Sequence, residues 1–152
     1  MSRYTASIRW NRPGDGDFSK GQYSRAHTWE FDGGVTVPAS ASPHIVPAPW
    51  SDAGGVDPEE AFIASLSSCH MLFFLDFARR DGWTIDSYHD EAEGVLEKRV
   101  DGRMWMSRVT LRPNVIWHGA APDEGEIADL HHRAHDSCFI SNSVTTEVTV
   151  AH

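Results

Sequence analysis

Positive charge is scarce in this chain. Lys and Arg number 13 against 22 Asp and Glu, a formal net charge of −9 at pH 7. Such a balance leaves no basic face for a nucleic-acid backbone or an anionic membrane surface. Long apolar runs are missing as well: the longest uncharged stretch, between Glu60 and Asp76, has 15 residues and falls short of the ~20 that a membrane span needs. The first residues, Met1-Ser2-Arg3-Tyr4, lack the apolar centre of a secretory signal, so a cytoplasmic location is expected. Cysteine is almost absent. Two residues, Cys69 and Cys138, cannot make a disulfide-rich scaffold, and in a reducing compartment such thiols are more often free or catalytic than structural.

What remains is ordinary globular material. Apolar residues make up 40% of the 152 and charged residues 23%, enough for one real core and too little chain for two. A single domain over 1–152 is therefore expected, with no repeat or linker in it.

Residues 3–10 alternate apolar and polar and predict a strand, ended by the Asn11–Asp17 cluster of turn residues. A second strand fits 22–31, with Asp32-Gly33-Gly34 as a hairpin turn into a short strand at 35–37. Residues 38–56, with four prolines and Gly54-Gly55, form a long irregular loop of the kind that usually has a function. A helix then begins: Asp57 suits the N-cap, Pro58 the first helical position and Glu60 a capping box. It runs to Arg79-Arg80, with Gly82 just beyond. This helix has almost no polar face, so it belongs at the centre of the fold or of a dimer. Residues 84–99 and 103–117 predict two long strands around the Asp101-Gly102 turn, with a break at Pro113. A helix over 123–135 and a strand over 144–150 close the chain. The order βββ–α–ββ–α–β predicts an α+β domain on antiparallel sheet.

Cys69 sits mid-helix, where burial raises a thiol's pKa and leaves it inert unless a cation lies close. Its own helix offers none between Glu60 and Arg79, and Arg25 on the second strand is one candidate. Such a guanidinium would need a carboxylate, and Glu59 could serve. Ten residues of straight helix separate Glu59 from Cys69, about 15 Å of rise and a rotation that leaves the side chains roughly 80° apart. Either the helix breaks around Ser65–Ser68, or Glu59 serves the Cys69 of a second subunit. His70 points about 100° away from Cys69 around the helix, which argues against a Cys–His hydrolase. Nine histidines raise a metal-binding alternative, because His131 and His135 have the i, i+4 spacing that puts two imidazoles on one helix face. Histidines at a helix C-terminus explain the same residues through the dipole, and no metal is expected. Ile45, Val46, Pro47, Pro49, Trp50 and Phe62 are candidates to line an apolar pocket.

The run Asp57-Pro58-Glu59-Glu60 to Ser67-Ser68-Cys69-His70 strongly resembles the first cysteine motif of the OsmC/Ohr family, the osmotically inducible and organic hydroperoxide resistance proteins. Ala134 to Val144, around Asp136-Ser137-Cys138-Phe139-Ile140, looks like the second. Two features depart from the family: Asp57 stands where Asn is frequent, and Phe139 follows Cys138 where a Cys-Pro pair is common. The resemblance covers essentially the whole chain. It implies an OsmC-like α+β fold, an intertwined homodimer with central helices back to back, and no metal or organic cofactor. It implies that Cys69 attacks an organic hydroperoxide, that Cys138 resolves the product as a Cys69–Cys138 disulfide, and that Glu59 holds an Arg over the thiolate. An external dithiol, such as a lipoylated protein, would restore both thiols. Ohr-type members place the Arg on a strand near the N-terminus, as Arg25 is, and OsmC-type members in the loop before the helix. Residues 38–56 contain no Arg or Lys, which leaves Arg25. The rival expectation is a non-catalytic protein of the same fold that binds a small hydrophobic ligand.

Overall fold

The computed structural model describes residues 1–151. Contacts cluster the chain into two compact units, Met1–Ala61 and Phe62–His152. The first carries a three-stranded antiparallel sheet, β1 (Ala6–Arg9), β2 (His27–Phe31) and β3 (Thr36–Ala39), in that order. Gly34, at φ +84°, supplies the left-handed residue of the β2–β3 turn. Both early strands are shorter than the alternation predicts. Phe18–Lys20 forms a 3₁₀ turn capped by Asp17, and Tyr23 and Arg25 belong to an irregular segment tied down by Arg25 N–H to Trp50 C=O at 2.9 Å.

Helix α1 (Pro58–Arg80) starts as its sequence requires. Asp57 Oδ1 accepts from the Glu60 N–H at 2.8 Å, and the Asp57 N–H donates to Glu60 Oε2 at 3.1 Å, completing the capping box. It ends in a Schellman arrangement, with Gly82 at φ +88° and the Trp83 N–H on Ala78 C=O at 2.9 Å. In the single chain only four of its 23 residues are fully buried: Leu66, His70, Phe74 and Ala78, one stripe at every fourth position.

The two long strands expected at 84–99 and 103–117 are one hairpin that pauses midway. It yields β4 (Ile85–Asp90), β5 (Glu93–Lys98), β6 (Met104–Leu111) and β7 (Pro113–Trp117), with β4 paired to β7 and β5 to β6. Pro113, which lacks an N–H, marks the pause on one arm. On the other arm Asp90 does so: its carboxylate accepts the Arg112 N–H at 2.6 Å and the Ser67 hydroxyl from α1. The pairing frame survives the interruption, since Glu93 faces Thr110 on one side and Asp90 faces Pro113 on the other.

Helix α2 (Glu124–Ser137) carries a second capping box, Asp123 with Glu126. The last strand, β8 (Glu147–Val150), joins β6 in parallel, so the β5–β6–β8 sheet is mixed where antiparallel pairing alone was expected. The intervening α2 supplies the crossover that a parallel pair needs.

Two apolar clusters result. Leu66 packs with Val109 and Leu111 under the first half of α1, and Phe74 and Ala78 pack with Leu130 and Ala134 under the second. In the first cluster β5 passes so close to α1 that a Cβ on Gly94 would lie 2.6 Å from Ile63 Cδ1 and 2.5 Å from Met106 Cε. Gly94→Ala is therefore expected to cost about 1–3 kcal/mol through overpacking. A urea denaturation curve with an unchanged midpoint would refute this close packing.

Candidate functional site

Cys69 and His70 lie where the two clusters meet, between Leu66 and Phe74 on α1. They face different surroundings, as their 100° separation requires.

The Cys69 thiol is half-buried and meets the turn that follows α2. Cys138, the C-cap of α2, is fully buried there and neighbours Cys69 closely enough to act on its thiol. Both are free thiols. Ser141 N–H donates to Cys138 Sγ at 3.4 Å, and the turn continues into a 3₁₀ helix over Ser141–Ser143. Two contacts seat this turn on the second unit: the Phe139 ring meets Phe73 edge-on at 5.0 Å, and Ile140 packs on the Leu66 cluster. Burial pushes the Cys69 thiol above its ordinary pKa, and the Cys138 thiol acts in the same direction. The main-chain N–H groups of Ile140 and Phe139 act against this and pull it down.

His70 looks the other way. Its ring is wholly buried, and Nε2 lies 3.0 Å from Nδ1 of His131, which is 4% exposed. The imidazoles stack at 5.3 Å, and the His131 ring also stacks on Phe74 at 4.3 Å. His70 Nδ1 and the buried Tyr88 hydroxyl have no partner among the described residues. Burial, aided by His135 and opposed by Asp90, lowers the His70 pKa to about 4. His70 is thus a neutral core residue that makes no bond to Cys69. His131 pairs with His70, and His132 forms an i, i+4 pair with Asp136 at 3.3 Å. Among the described residues no group of three or more His, Cys, Asp or Glu is arranged to hold a metal ion.

The other two residues singled out from sequence lie in the first unit. Arg25 turns Nη1 onto the carbonyls of Gly21 (2.7 Å) and Tyr23 (2.6 Å), and its guanidinium covers the Tyr23 ring at 3.7 Å. It stands in the wall of an apolar cavity of about 430 Å³ formed with Ile8, Trp10, Phe18, Tyr23 and His27. Ile45, Val46, Pro47, Pro49 and Trp50, the loop residues expected to line a pocket, are not among its walls. Periodicity gave no sign of this cavity, because Phe18 lies in a 3₁₀ turn and Tyr23 in an irregular segment. Glu59 occupies the first turn of α1, and no ion pair joins it to Arg25 among the described residues. Because α1 is unbroken, Glu59 and Cys69 of one chain stand about 15 Å apart along its axis.

Residues 51–152 match the family described as OsmC-like protein. This chain belongs to that family. Its fold superimposes on an OsmC-like protein of unknown function from Vibrio cholerae with a TM-score of 0.96 and 49% identity, covering 99% of each chain. More distant in sequence are two organic hydroperoxide resistance proteins. The one from Legionella pneumophila has a TM-score of 0.69 and 17% identity over 100% of both chains. OhrB of Bacillus subtilis has a TM-score of 0.67 and 23% identity, covering 97% of this chain and 96% of its own. At such identities the likeness concerns the fold. No curated protein matches the chain in sequence. Helix α1, with 23 residues and a mean hydropathy of 1.5, is long and apolar enough by composition to cross a membrane, and it seats Leu66, Phe74 and Ala78 in the two clusters.

Proposed function

We propose that the protein is a cytoplasmic thiol peroxidase that reduces organic hydroperoxides, working as a homodimer. The observation that carries this reading is the meeting of Cys69 and Cys138, two reduced thiols from elements 69 residues apart, at a half-buried position of an OsmC-like fold. The Cys69 thiolate attacks the distal oxygen of the hydroperoxide, the O–O bond breaks, and the alkoxide leaves as an alcohol once protonated. Cys69 is left as a sulfenic acid. The Cys138 thiol displaces water from it and closes the disulfide, which an external dithiol, such as a lipoyl group, reduces while itself becoming a disulfide.

Homodimer formation has its own support. On the side of α1 away from its buried stripe, Ala64, Ser68 and Leu72 are exposed, and Ser65, Met71 and Leu75 only half-covered. Small and apolar residues with no charge among them are what two helices packed back to back would bury. A dimer also answers the separation of Glu59 from Cys69 on one straight helix. Glu59 and Arg25 of one subunit then serve the Cys69 of the other, with Glu59 orienting the guanidinium that favours the thiolate. The aromatic cavity beside Arg25 accommodates the organic group of the peroxide.

The deciding experiment treats the fully reduced protein with one equivalent of cumene hydroperoxide, without reductant, and counts thiols by mass. Loss of both thiols with a mass drop of about 2 Da is expected. Two unreacted thiols would sink the peroxidase reading and favour the ligand-binding alternative.

A further inference from the structure

The β1–β2 ladder ends where Arg9 pairs with Thr28, and residues 23–26, just before β2, lie outside any strand. Two carbonyls of that segment are taken by side-chain rings instead. Trp10 Nε1 donates to the Ser24 C=O at 2.9 Å, and His27 Nδ1 lies 2.7 Å from the Arg25 C=O. On the other side of the same half-buried imidazole, Trp29 Nε1 lies 3.0 Å from Nε2. His27 and Trp29 can meet because they stand two apart on β2 and share a face of the strand. Together the two contacts fix which imidazole nitrogen carries the proton. An indole N–H only donates, so Nε2 offers its lone pair; a carbonyl only accepts, so Nδ1 bears the hydrogen. The donors therefore run one way, from Trp29 to His27 to the Arg25 main chain. With the Arg25 N–H on the Trp50 C=O at 2.9 Å, both main-chain polar groups of Arg25 are held. Arg25 and His27 also stand side by side in the wall of the aromatic cavity.

We propose that His27 is a positioning residue: its Nδ1–H, oriented by Trp29, anchors the Arg25 main chain and so aims the guanidinium that serves Cys69. An arginine carries its charge far from its own backbone, so a small main-chain rotation becomes a large displacement of that charge, and misplacement is costly. This rests on Arg25 favouring the Cys69 thiolate, and deepens that reading by naming what holds the arginine.

A long-range proton–nitrogen correlation spectrum of the reduced, nitrogen-labelled protein reads the tautomer directly. His27 should show a protonated Nδ1 and a bare Nε2, and the reverse pattern would overturn the proposal. The role itself is read from alkylation of Cys69 by iodoacetamide, followed by peptide mass across a pH series on reduced protein. Arg25→Ala should raise the midpoint by about one unit. His27→Leu should raise it by about half a unit, with alkylation about threefold slower at pH 7. His27→Asn also deprives Trp29 of its acceptor, but its amide N–H can stand where Nδ1–H stood, so it should restore most of the wild-type profile. In an Arg25→Ala background His27→Leu should add nothing, because an effect relayed through the guanidinium is already lost, whereas a purely structural defect would add in full. A wild-type midpoint in folded His27→Leu, an Asn variant as slow as the Leu variant, or full additivity with Arg25→Ala would each overturn the proposal. Should His27→Leu fail to fold, His27→Gln takes its place, since its longer amide reaches the position of Nε2 and leaves the Arg25 carbonyl without this donor. An unmoved midpoint in Arg25→Ala would remove the role of Arg25 and this proposal with it; a shift in Arg25→Ala but not in the His27 variants removes this proposal alone. No peroxide enters the assay, so failure of the peroxidase reading is registered separately.

Discussion

Cys69→Ser should abolish hydroperoxide consumption, with a loss of at least about a thousandfold, because the other thiol of the site, Cys138, is fully buried. Cys138→Ser should behave differently. Its Cys69 still attacks, so one equivalent of peroxide is consumed quickly and turnover then stalls, with Cys69 held as a sulfenic acid. Dimedone should trap that acid and add its mass to the peptide containing Cys69. The contrast is sharp because Cys138 is fully buried and its only nearby redox partner is Cys69. A Cys138→Ser protein that turns over at the wild-type rate with a dithiol would remove the resolving role. A Cys69→Ser protein that retains consumption would remove the mechanism altogether.

The second large effect concerns acid. The folded protein holds His70 neutral, because burial lowers its pKa to about 4 from the ordinary 6.5 of a histidine. The unfolded chain binds that proton more readily, so stability falls as pH drops. The sign follows directly: the His70 contribution is complete above about pH 6.5, declines between pH 6.5 and 4, and is spent below that. The contribution lost across that window is about 3 kcal/mol. Urea midpoints measured from pH 7 to 4 should drop accordingly. His70→Gln retains an uncharged donor and acceptor at the pair with His131, and should flatten the slope across that window even if it lowers stability at pH 7. An equally steep slope in His70→Gln would assign the acid sensitivity elsewhere.

Much of this architecture could be foreseen from local residues. The α1 start needed only Asp57, Pro58 and Glu60, and its end only Gly82, because caps are satisfied within a few residues of chain. The pause in the long hairpin was half visible. Pro113 announces it on one arm, but Asp90-Glu91-Ala92 contains no breaker, and Asp90 acts through Arg112 and Ser67, which are distant in sequence. The parallel seat of β8 on β6 was not legible, since strand direction depends on the crossover rather than on the strand's own pattern. The histidines show the same limit. A spacing of four made His131 and His135 look like a pair, whereas the bond that forms joins His131 to His70 across 61 residues of chain. The Cys69–Cys138 meeting rested on family resemblance alone, because no local pattern places two distant thiols together. The Arg25 donors were equally out of reach: the carbonyls that take Nη1 belong to a 3₁₀ turn and an irregular segment, which periodicity does not describe.

The interrupted hairpin constrains how this chain can change length. Opposite Leu96 and Val95 the partner strand carries one residue too many, Ser107, and farther along the surplus residue is Asp86, on the other arm. The second surplus cancels the first, so the ladder leaves the hairpin in the frame in which it entered. Inserting or deleting one residue between the two surpluses would turn the side chains of every later pair inside out. Both apolar clusters would lose their walls at once, although they belong to different sheets. Relatives that vary in length within this region are therefore expected to do so in the Arg99–Arg103 turn, where a change in residue count leaves the frame intact.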